Sequence, residues 1–244
     1  MNATARHRFT IVVPLFNERD NLPRLEERLA AYLQRSAAQP AGVLFVDDGS
    51  TDGGSALLEE ICARHDDFHY LRFARNRGLS AALKAGFDAC ESPLVGYIDA
   101  DLQTDPEDFD LLLSHAEEHA LVLGIRTGRK DSRGKRIISK LANAGRRALV
   151  HDTAVDTGCP LKVLQTAYAR RLPALNGMHR FIPALISAMG GTYAQIPVRH
   201  SPRIAGKSKF NLSNRFWGPI RDAFHYRWYL RRYVDTTVSQ SDLD

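Results

Sequence analysis

Tyr97-Ile98-Asp99-Ala100-Asp101-Leu102-Gln103-Thr104-Asp105-Pro106 is the stretch on which the reading of this chain turns. An apolar run, residues 94–98, stops at two carboxylates one residue apart, and a glutamine follows two positions on. A buried strand that ends on Asp-x-Asp delivers two acidic side chains to one rim of a sheet, because residues i and i+2 of an extended segment point the same way. Adjacent carboxylates repel unless a cation lies between them. Hard divalent ions, Mg²⁺ or Mn²⁺, take such oxygen ligands and share them with substrate phosphates. Taken alone the stretch also reads as a helix start, with Thr104 or Asp105 as N-cap and Pro106 just inside.

The same pattern recurs upstream. Residues 9–14 are β-branched and apolar and run into Leu15-Phe16-Asn17-Glu18; residues 43–46 form a second run, ended by Asp47-Asp48-Gly49-Ser50-Thr51-Asp52-Gly53. Residues 70–73 and 121–124 read as further strands. Between them, 21–33 carries Leu22, Leu25, Leu29, Tyr32 and Leu33 at helical spacing, and 56–63, 80–89 and 107–118 also read as helices. Alternating short strands and helices predict an α/β fold, a mainly parallel sheet flanked by helices. Ligands of such sheets bind at the carboxyl ends of the strands, so Asp47-Asp48 and Asp99/Asp101 are expected in one cleft. The turn that begins at Gly49 is expected to cap the next helix, and Arg75-Asn76-Arg77-Gly78 precedes a helix whose N-terminus favours anions.

After residue 125 the pattern changes. A basic helix is predicted over 136–150, an irregular stretch over 154–163, a short helix and a strand (193–198) within 179–198, a flexible basic loop over 203–209 and a helical tail over 211–233. Residues 1–210 are read as one domain, and 211–244 as an amphipathic, interfacial C-terminal helix with its tail.

Composition narrows the partners. At 244 residues, 44% hydrophobic and 25% charged, the chain is that of a globular protein with a sizeable core. Three scattered cysteines with no CxxC pair read as reduced thiols of a cytosolic protein, not as a zinc site or disulfide framework. No apolar run reaches transmembrane length, and Arg6-His7-Arg8 before residues 9–13 reads as the approach to a first strand, not as a signal peptide. The net charge of +5 and the isoelectric point near 9.2 suit an anionic partner. The basic residues concentrate in 126–147 and 199–232. A nucleic-acid-binding reading rests on that charge alone and leaves the acidic strand ends unexplained, so no nucleic acid is expected.

Together the stretches VVPLFNE (12–18), VDDGSTDG (46–53), RNRGLSAALKAGFD (75–88), YIDADLQTDPE (97–107), DTGCPLKV (156–163), MHRFIPAL (178–185) and RIAGKSKF (203–210) resemble the family 2 inverting glycosyltransferases of GT-A, Rossmann-like fold. Within them the chain looks most like the polyprenyl-phosphate glycosyltransferases, the dolichol-phosphate mannose synthase type. The resemblance implies that Pro14, Phe16, Glu18 and Asp48 hold the base and ribose of a nucleotide sugar, with Asp99 and Ala100 against the nucleoside. It implies Asp101 and Gln103 as ligands of Mg²⁺ or Mn²⁺ beside the donor diphosphate, Arg126, Lys135, Arg136 and Ser139 on the acceptor's phosphate, and Arg203 and Lys209 on a loop closing over donor phosphates. The family often has Arg four residues before the Ser of the acceptor helix; here Lys135 holds that place and Arg136 follows.

The implied chemistry agrees with these residue types. A departing nucleoside diphosphate needs its negative charge stabilised by a metal and fixed cations. A polyprenyl (dolichyl or undecaprenyl) phosphate is already an anionic nucleophile, so it needs neutralisation and aim rather than a base, and arginine forks match phosphate oxygens. If the acceptor were a sugar hydroxyl of a glycan or lipid, a carboxylate base would be required, and Asp156 is the best candidate; its alternative role is a turn former before Gly158. His179-Arg180 reads either as packed structure or as a site near the acceptor or donor sugar. Trp217, Ile220, Phe224 and Trp228 fall within one helical arc, interspersed with Arg215, Arg221, Arg227, Arg231 and Arg232. That helix either packs on the domain or rests on an anionic bilayer. Many relatives carry transmembrane helices there. The expected location is cytoplasmic, peripheral on the inner membrane face, by direct contact or through a separate integral membrane partner.

Overall fold

In the computed structural model of the protein, the described residues are 3–127, 152–199 and 222–234. Three buried segments, β1 (Phe9–Leu15), β2 (Ala41–Asp47) and β4 (Leu94–Tyr97), pair in parallel around β1, and β3 (Phe68–Arg72) adds outside β2. Every residue of β1 and β2 is buried, as expected of strands covered on both faces. Pro14 sits in this central strand without breaking it. Val12 O accepts from Ile98 N on the β4 side, and β4 ends one residue earlier, so the Pro14 nitrogen faces a gap where no ladder partner is needed.

Beyond β4 the sheet changes direction. Its order is β3-β2-β1-β4-β6-β5-β7, with β6 (Lys162–Gln165) antiparallel between β4 and β5 (Leu121–Arg126), and β7 (Tyr193–Val198) parallel to β5 at the edge. Four of the six pairings are thus parallel, the mainly parallel sheet that the sequence pattern predicts.

Helices cover both faces. One core layer joins the sheet to α1 (Leu22–Leu33), α2 (Gly54–Arg64) and α4 (Phe109–Leu113), where Phe9 meets Phe109 edge-on at 5.3 Å. The other joins it to α3 (Leu79–Ala89), α5 (Thr166–Arg171), α6 (Ile182–Ala188) and α7 (residues 222–230), where Phe181 stacks on Tyr226 at 4.1 Å. All five apolar positions predicted for the buried face of α1 are buried.

Three expectations are corrected. The helix expected over 107–118 is a 3-10 turn, Pro106–Asp108, followed by the short α4 and turns. The third strand, read over 70–73, begins two residues earlier and ends one earlier. The stretch 154–163, expected to be irregular, ends in the start of β6, which is too short to show a period and begins on a lysine. The predicted helix 136–150 and basic loop 203–209 lie outside the described residues, as do Trp217 and Ile220 of the tail.

Helix α3 rides close to the sheet because Gly86 faces it: a Cβ there would lie 2.5 Å from Val12 Cγ1 and 3.2 Å from Val46 Cγ2. Both valines are fully buried and have no room to retreat. Gly86→Val is expected to cost about 2 kcal/mol or more by overpacking, lowering the melting temperature by several degrees in a thermal scan.

Candidate active site

The carboxyl ends of β2, β1 and β4 lie side by side, and the loops after them are tied together by hydrogen bonds. Asp47 is a structural carboxylate: fully buried, it accepts from Ser50 N at 2.9 Å and from the Ser55 hydroxyl, and so shapes the loop into α2. Asp48 reaches the other way and accepts from the Arg77 and Gly78 amides at 2.6 and 2.8 Å. This clamps the turn before α3 against β2. Gly49 permits the approach: its φ is +72°, and a Cβ would sit 2.5 Å from the Arg75 carbonyl carbon. Asn17, with φ 54°, donates its amide to the Ser50 hydroxyl at 2.9 Å, and its side-chain oxygen accepts from Thr51 N at 2.7 Å. Glu18 accepts from the Asn21 side chain at 2.6 Å. Phe16 and Glu18 are half-buried on the same loop, and Pro14 is buried beneath it. Asp48 therefore shares its oxygens with a backbone turn, leaving further lone pairs for a ligand.

Past β4 the geometry differs from an extended Asp-x-Asp. The strand stops at Tyr97, and residues 98–102 turn, with Leu102 at φ 49° and its amide on Asp99 O at 3.4 Å. Asp99 accepts from the Tyr97 hydroxyl at 2.7 Å, and Asp101 accepts from the Gln103 amide at 3.2 Å. Ala100 and Leu102 are buried, anchoring the turn. Burial raises the Asp99 pKa and the neighbouring Asp101 adds to it, while the Tyr97 hydrogen bond and the charges of Lys162 and Arg126 oppose the rise. A cation beside the two carboxylates would relieve this repulsion. The turn offers two carboxylates and an amide, all hard oxygen donors, and so fits Mg²⁺ or Mn²⁺. No group of three or more His, Cys, Asp or Glu side chains that could hold a metal ion occurs among the described residues, so a metal here would need phosphate or water to complete its shell.

The third wall comes from β5, β6 and the loop between Asp152 and Lys162. Arg126, at the end of β5, grips Asp156 through Nε and Nη2, both at 2.8 Å, and both side chains are about 15% exposed. Burial works against the Arg126 charge, yet the Asp156 bonds keep its pKa above the ordinary value. Lys162 is 1% exposed. Its Nζ donates to the Thr157 carbonyl at 3.4 Å and to the Cys159 carbonyl, and lies 5.4 Å from the Tyr97 ring centre. Burial lowers its pKa, and the nearby Cys159, Asp156 and Asp99 resist. His179 bonds Ser80 near the start of α3 at 3.1 Å, and Arg180 pairs with Asp222 of α7 at 3.2 Å.

The structure thus brings Pro14, Phe16, Glu18, Asp48, Asp99, Ala100, Asp101, Gln103 and Arg126 to one end of the sheet. Lys135, Arg136, Ser139, Arg203 and Lys209 lie outside the described residues. Sequence reasoning missed Tyr97 and Lys162. The signal for Lys162 was a single cation within the otherwise apolar Pro160-Leu161-Lys162-Val163-Leu164.

Burial, with Arg180 and Lys162 nearby, pushes the His179 pKa down to about 3, so the folded protein holds this imidazole neutral. The unfolded chain takes up that proton near pH 6.5 and the folded chain does not, so this contribution to stability is complete above pH 6.5 and is lost as pH falls toward 3. The His179→Gln variant is expected to lose less stability than the parent between pH 6.5 and 4. The difference should approach about 1.4 kcal/mol per pH unit at most, read from denaturant midpoints at each pH.

Residues 10–168 match the family described as Glycosyl transferase family 2. The undecaprenyl-phosphate 4-deoxy-4-formamido-L-arabinose transferase of Pseudomonas fluorescens (strain Pf0-1) is 35% identical over 207 residues, covering 84% of this chain and 61% of that protein. The dodecaprenyl-phosphate galacturonate synthase of Rhizobium johnstonii is 32% identical over 213 residues, covering 85% of this chain and 63% of that one. The chain therefore spans about three fifths of the length of these curated relatives. Among solved structures, glucosyl-3-phosphoglycerate synthase from Mycobacterium tuberculosis in complex with Mn²⁺ and UDP-glucose superposes with a TM-score of 0.68 at 16% identity, covering 96% of this chain and 82% of that one. That likeness is one of fold. With the family match spanning the first six strands, the chain belongs to glycosyl transferase family 2.

Proposed function

We propose that the protein transfers a sugar from a nucleotide sugar, GDP- or UDP-linked, to a polyprenyl phosphate, inverting the anomeric centre, with Mg²⁺ or Mn²⁺ at Asp101 and Gln103. The observation that carries the choice of acceptor is the Arg126–Asp156 pair. Asp156 is the carboxylate that a sugar-hydroxyl acceptor would use as base, and here both its oxygens are engaged by one guanidinium. A base so held is poorly suited to take a proton, whereas a phosphate nucleophile asks for none. Arg126 keeps further N–H groups beyond the two in the pair, and Lys135, Arg136 and Ser139 join it as the proposed acceptor side. The names of the relatives, transferases and a synthase on undecaprenyl and dodecaprenyl phosphate, support the same acceptor class. The Mn²⁺ and UDP-glucose of the Mycobacterium tuberculosis enzyme support a metal and a nucleotide-sugar donor.

In this reading the loops after β1 and β2 hold base and ribose through Pro14, Phe16, Glu18 and Asp48. Asp99 and Ala100 close on the nucleoside. The metal, when bound, supplies Lewis-acid stabilisation of the leaving diphosphate. Arg203 and Lys209 add fixed positive charge as the diphosphate departs.

The acceptor is a membrane lipid, and α7 offers a surface to meet it. Phe224 and Trp228, one turn apart, are 57% and 59% exposed, Arg231 is exposed beside them, and the Arg232 guanidinium lies 4.6 Å from the centre of the Trp228 ring. Ala223 and Tyr226 face the core from the opposite side. No helix among the described residues is long and apolar enough to cross a membrane. Aromatic rings flanked by arginines suit an anionic headgroup layer, so this face is proposed to rest on the cytoplasmic leaflet.

Asp101→Asn is expected to lower metal-dependent transfer by about a hundredfold or more with the melting curve unchanged. Turnover of UDP- and GDP-sugars with Mn²⁺ onto undecaprenyl phosphate checks it, and full activity in a folded variant refutes the metal assignment. Transfer onto oligosaccharides but not onto lipid phosphate would select the hydroxyl-acceptor reading instead.

Phe224→Ser with Trp228→Ser is expected to abolish co-sedimentation with anionic vesicles at an unchanged melting temperature, and high salt should weaken the parent's binding. Tyr226→Ala, by contrast, should cost about 3 kcal/mol of stability. A parent protein that never sediments with vesicles points to a separate membrane partner.

A further inference from the structure

Resting on the proposed donor site, we propose that Lys162 is its positioning residue: the buried ammonium is the fixed positive charge that holds Asp99, through Tyr97 and the surrounding field, in its donor-binding place. The position is set by the ladder. Lys162 is the register partner of Tyr97 across β4–β6 and of Leu123 across β5–β6, so its side chain starts at the level where the acidic turn leaves the sheet. Its Nζ caps the carbonyls of Thr157 and Cys159 on one side and faces the Tyr97 ring on the other. The Tyr97 hydroxyl in turn donates to Asp99 at 2.7 Å. One ammonium therefore links the loop that carries Asp156 to the turn that carries Asp99.

Charge bookkeeping makes the role specific. Lys162 and Arg126 are the two basic side chains near Asp99 at this end of the sheet, and Arg126 is already paired with Asp156, which leaves Lys162 as the cation not held by a carboxylate. Apart from the two loop carbonyls that its Nζ caps, nothing in the packing of β6 asks for a lysine. Val163 and Leu164 fill the adjoining positions of the strand, and an ammonium taken out of water costs several kcal/mol unless its charge is used. The nearby anions at the donor end are the use that the geometry offers.

The test separates charge from bonding. Lys162→Gln keeps an N–H donor for the two carbonyls and removes the charge. Binding of UDP and of GDP, each with and without Mn²⁺, is measured by calorimetry, beside the melting temperature. The expected result is at least tenfold weaker binding of whichever diphosphate the parent takes, with the melting temperature held within a few degrees. In an Asp99→Asn background the same substitution should change binding less than twofold, because the residue it acts through is gone. Parent-like binding by Lys162→Gln, or an equal loss in both backgrounds, overturns the inference. If Lys162→Gln does not fold, Lys162→Met with Asp99→Asn, which removes one charge of each sign, replaces it and is compared with Asp99→Asn alone; a further tenfold loss overturns the inference, and unchanged binding supports it. A parent that binds neither diphosphate overturns the donor-site reading itself, a result distinct from a parent that binds and a variant that binds equally.

Discussion

Because β6 runs antiparallel between β4 and β5, the loop that precedes it arrives at the same end of the sheet as the acidic turn that leaves β4. The rest of the site depends on that reversal. A parallel strand in the same slot would have brought its start to the far end of the sheet, and with it Lys162, leaving Asp99 without that ammonium. With β6 antiparallel, Lys162, Arg126 and Asp156 all gather within reach of Tyr97 and Asp99. Buried charges persist only when paired or well hydrogen-bonded. The sheet order therefore sets the electrostatics of the site as well as its shape.

The side proposed for the nucleotide is built by a different principle. There the carboxylates are satisfied by backbone amides: Asp47 by its own loop, Asp48 by the Arg77–Gly78 turn. These bonds join the ends of β2 and the start of α3, and the Asn17–Ser50 and Asn17–Thr51 bonds join β1 to β2. Loops cross-linked in this way on rigid strands are ordered before a ligand arrives, which reduces the ordering cost of binding.

Helix α7 connects this end of the sheet to the molecular surface. Its inner face is stacked on Phe181 and paired through Asp222 with Arg180, and the preceding residue, His179, bonds Ser80 near the start of α3. The helix thus presents two faces, one packed on the domain and one exposed, the latter being the face proposed for membrane contact. Ala223 and Tyr226 serve packing, and Phe224 and Trp228 remain outside. Of the apolar arc read from Trp217 to Trp228, the described Phe224 and Trp228 lie on the outer face, and the reading passed over Tyr226.

Much of this protein was legible in advance: the alternation of strands and helices, the buried face of α1, and the acidic ends of β2 and β4 are all local patterns, unbroken apolar runs for the doubly covered strands and a 3.6-residue period for the helices. β4, equally short, was legible as an unbroken apolar run, whereas β6 begins on a lysine just after Gly158 and Pro160, and its antiparallel sense is a property of its neighbours rather than of its residues. The same limit applied to the charges. Asp47 and Asp48 are the same residue type side by side, yet one shapes its own loop and the other clamps the turn before α3. Asp156 was legible as a candidate base, but its guanidinium partner lies thirty residues away in the chain and meets it only through the sheet. Sequence by itself determined which residues could carry the chemistry; tertiary structure decided which of them face one another, because the energy of a buried charge depends on the neighbours that folding brings to it.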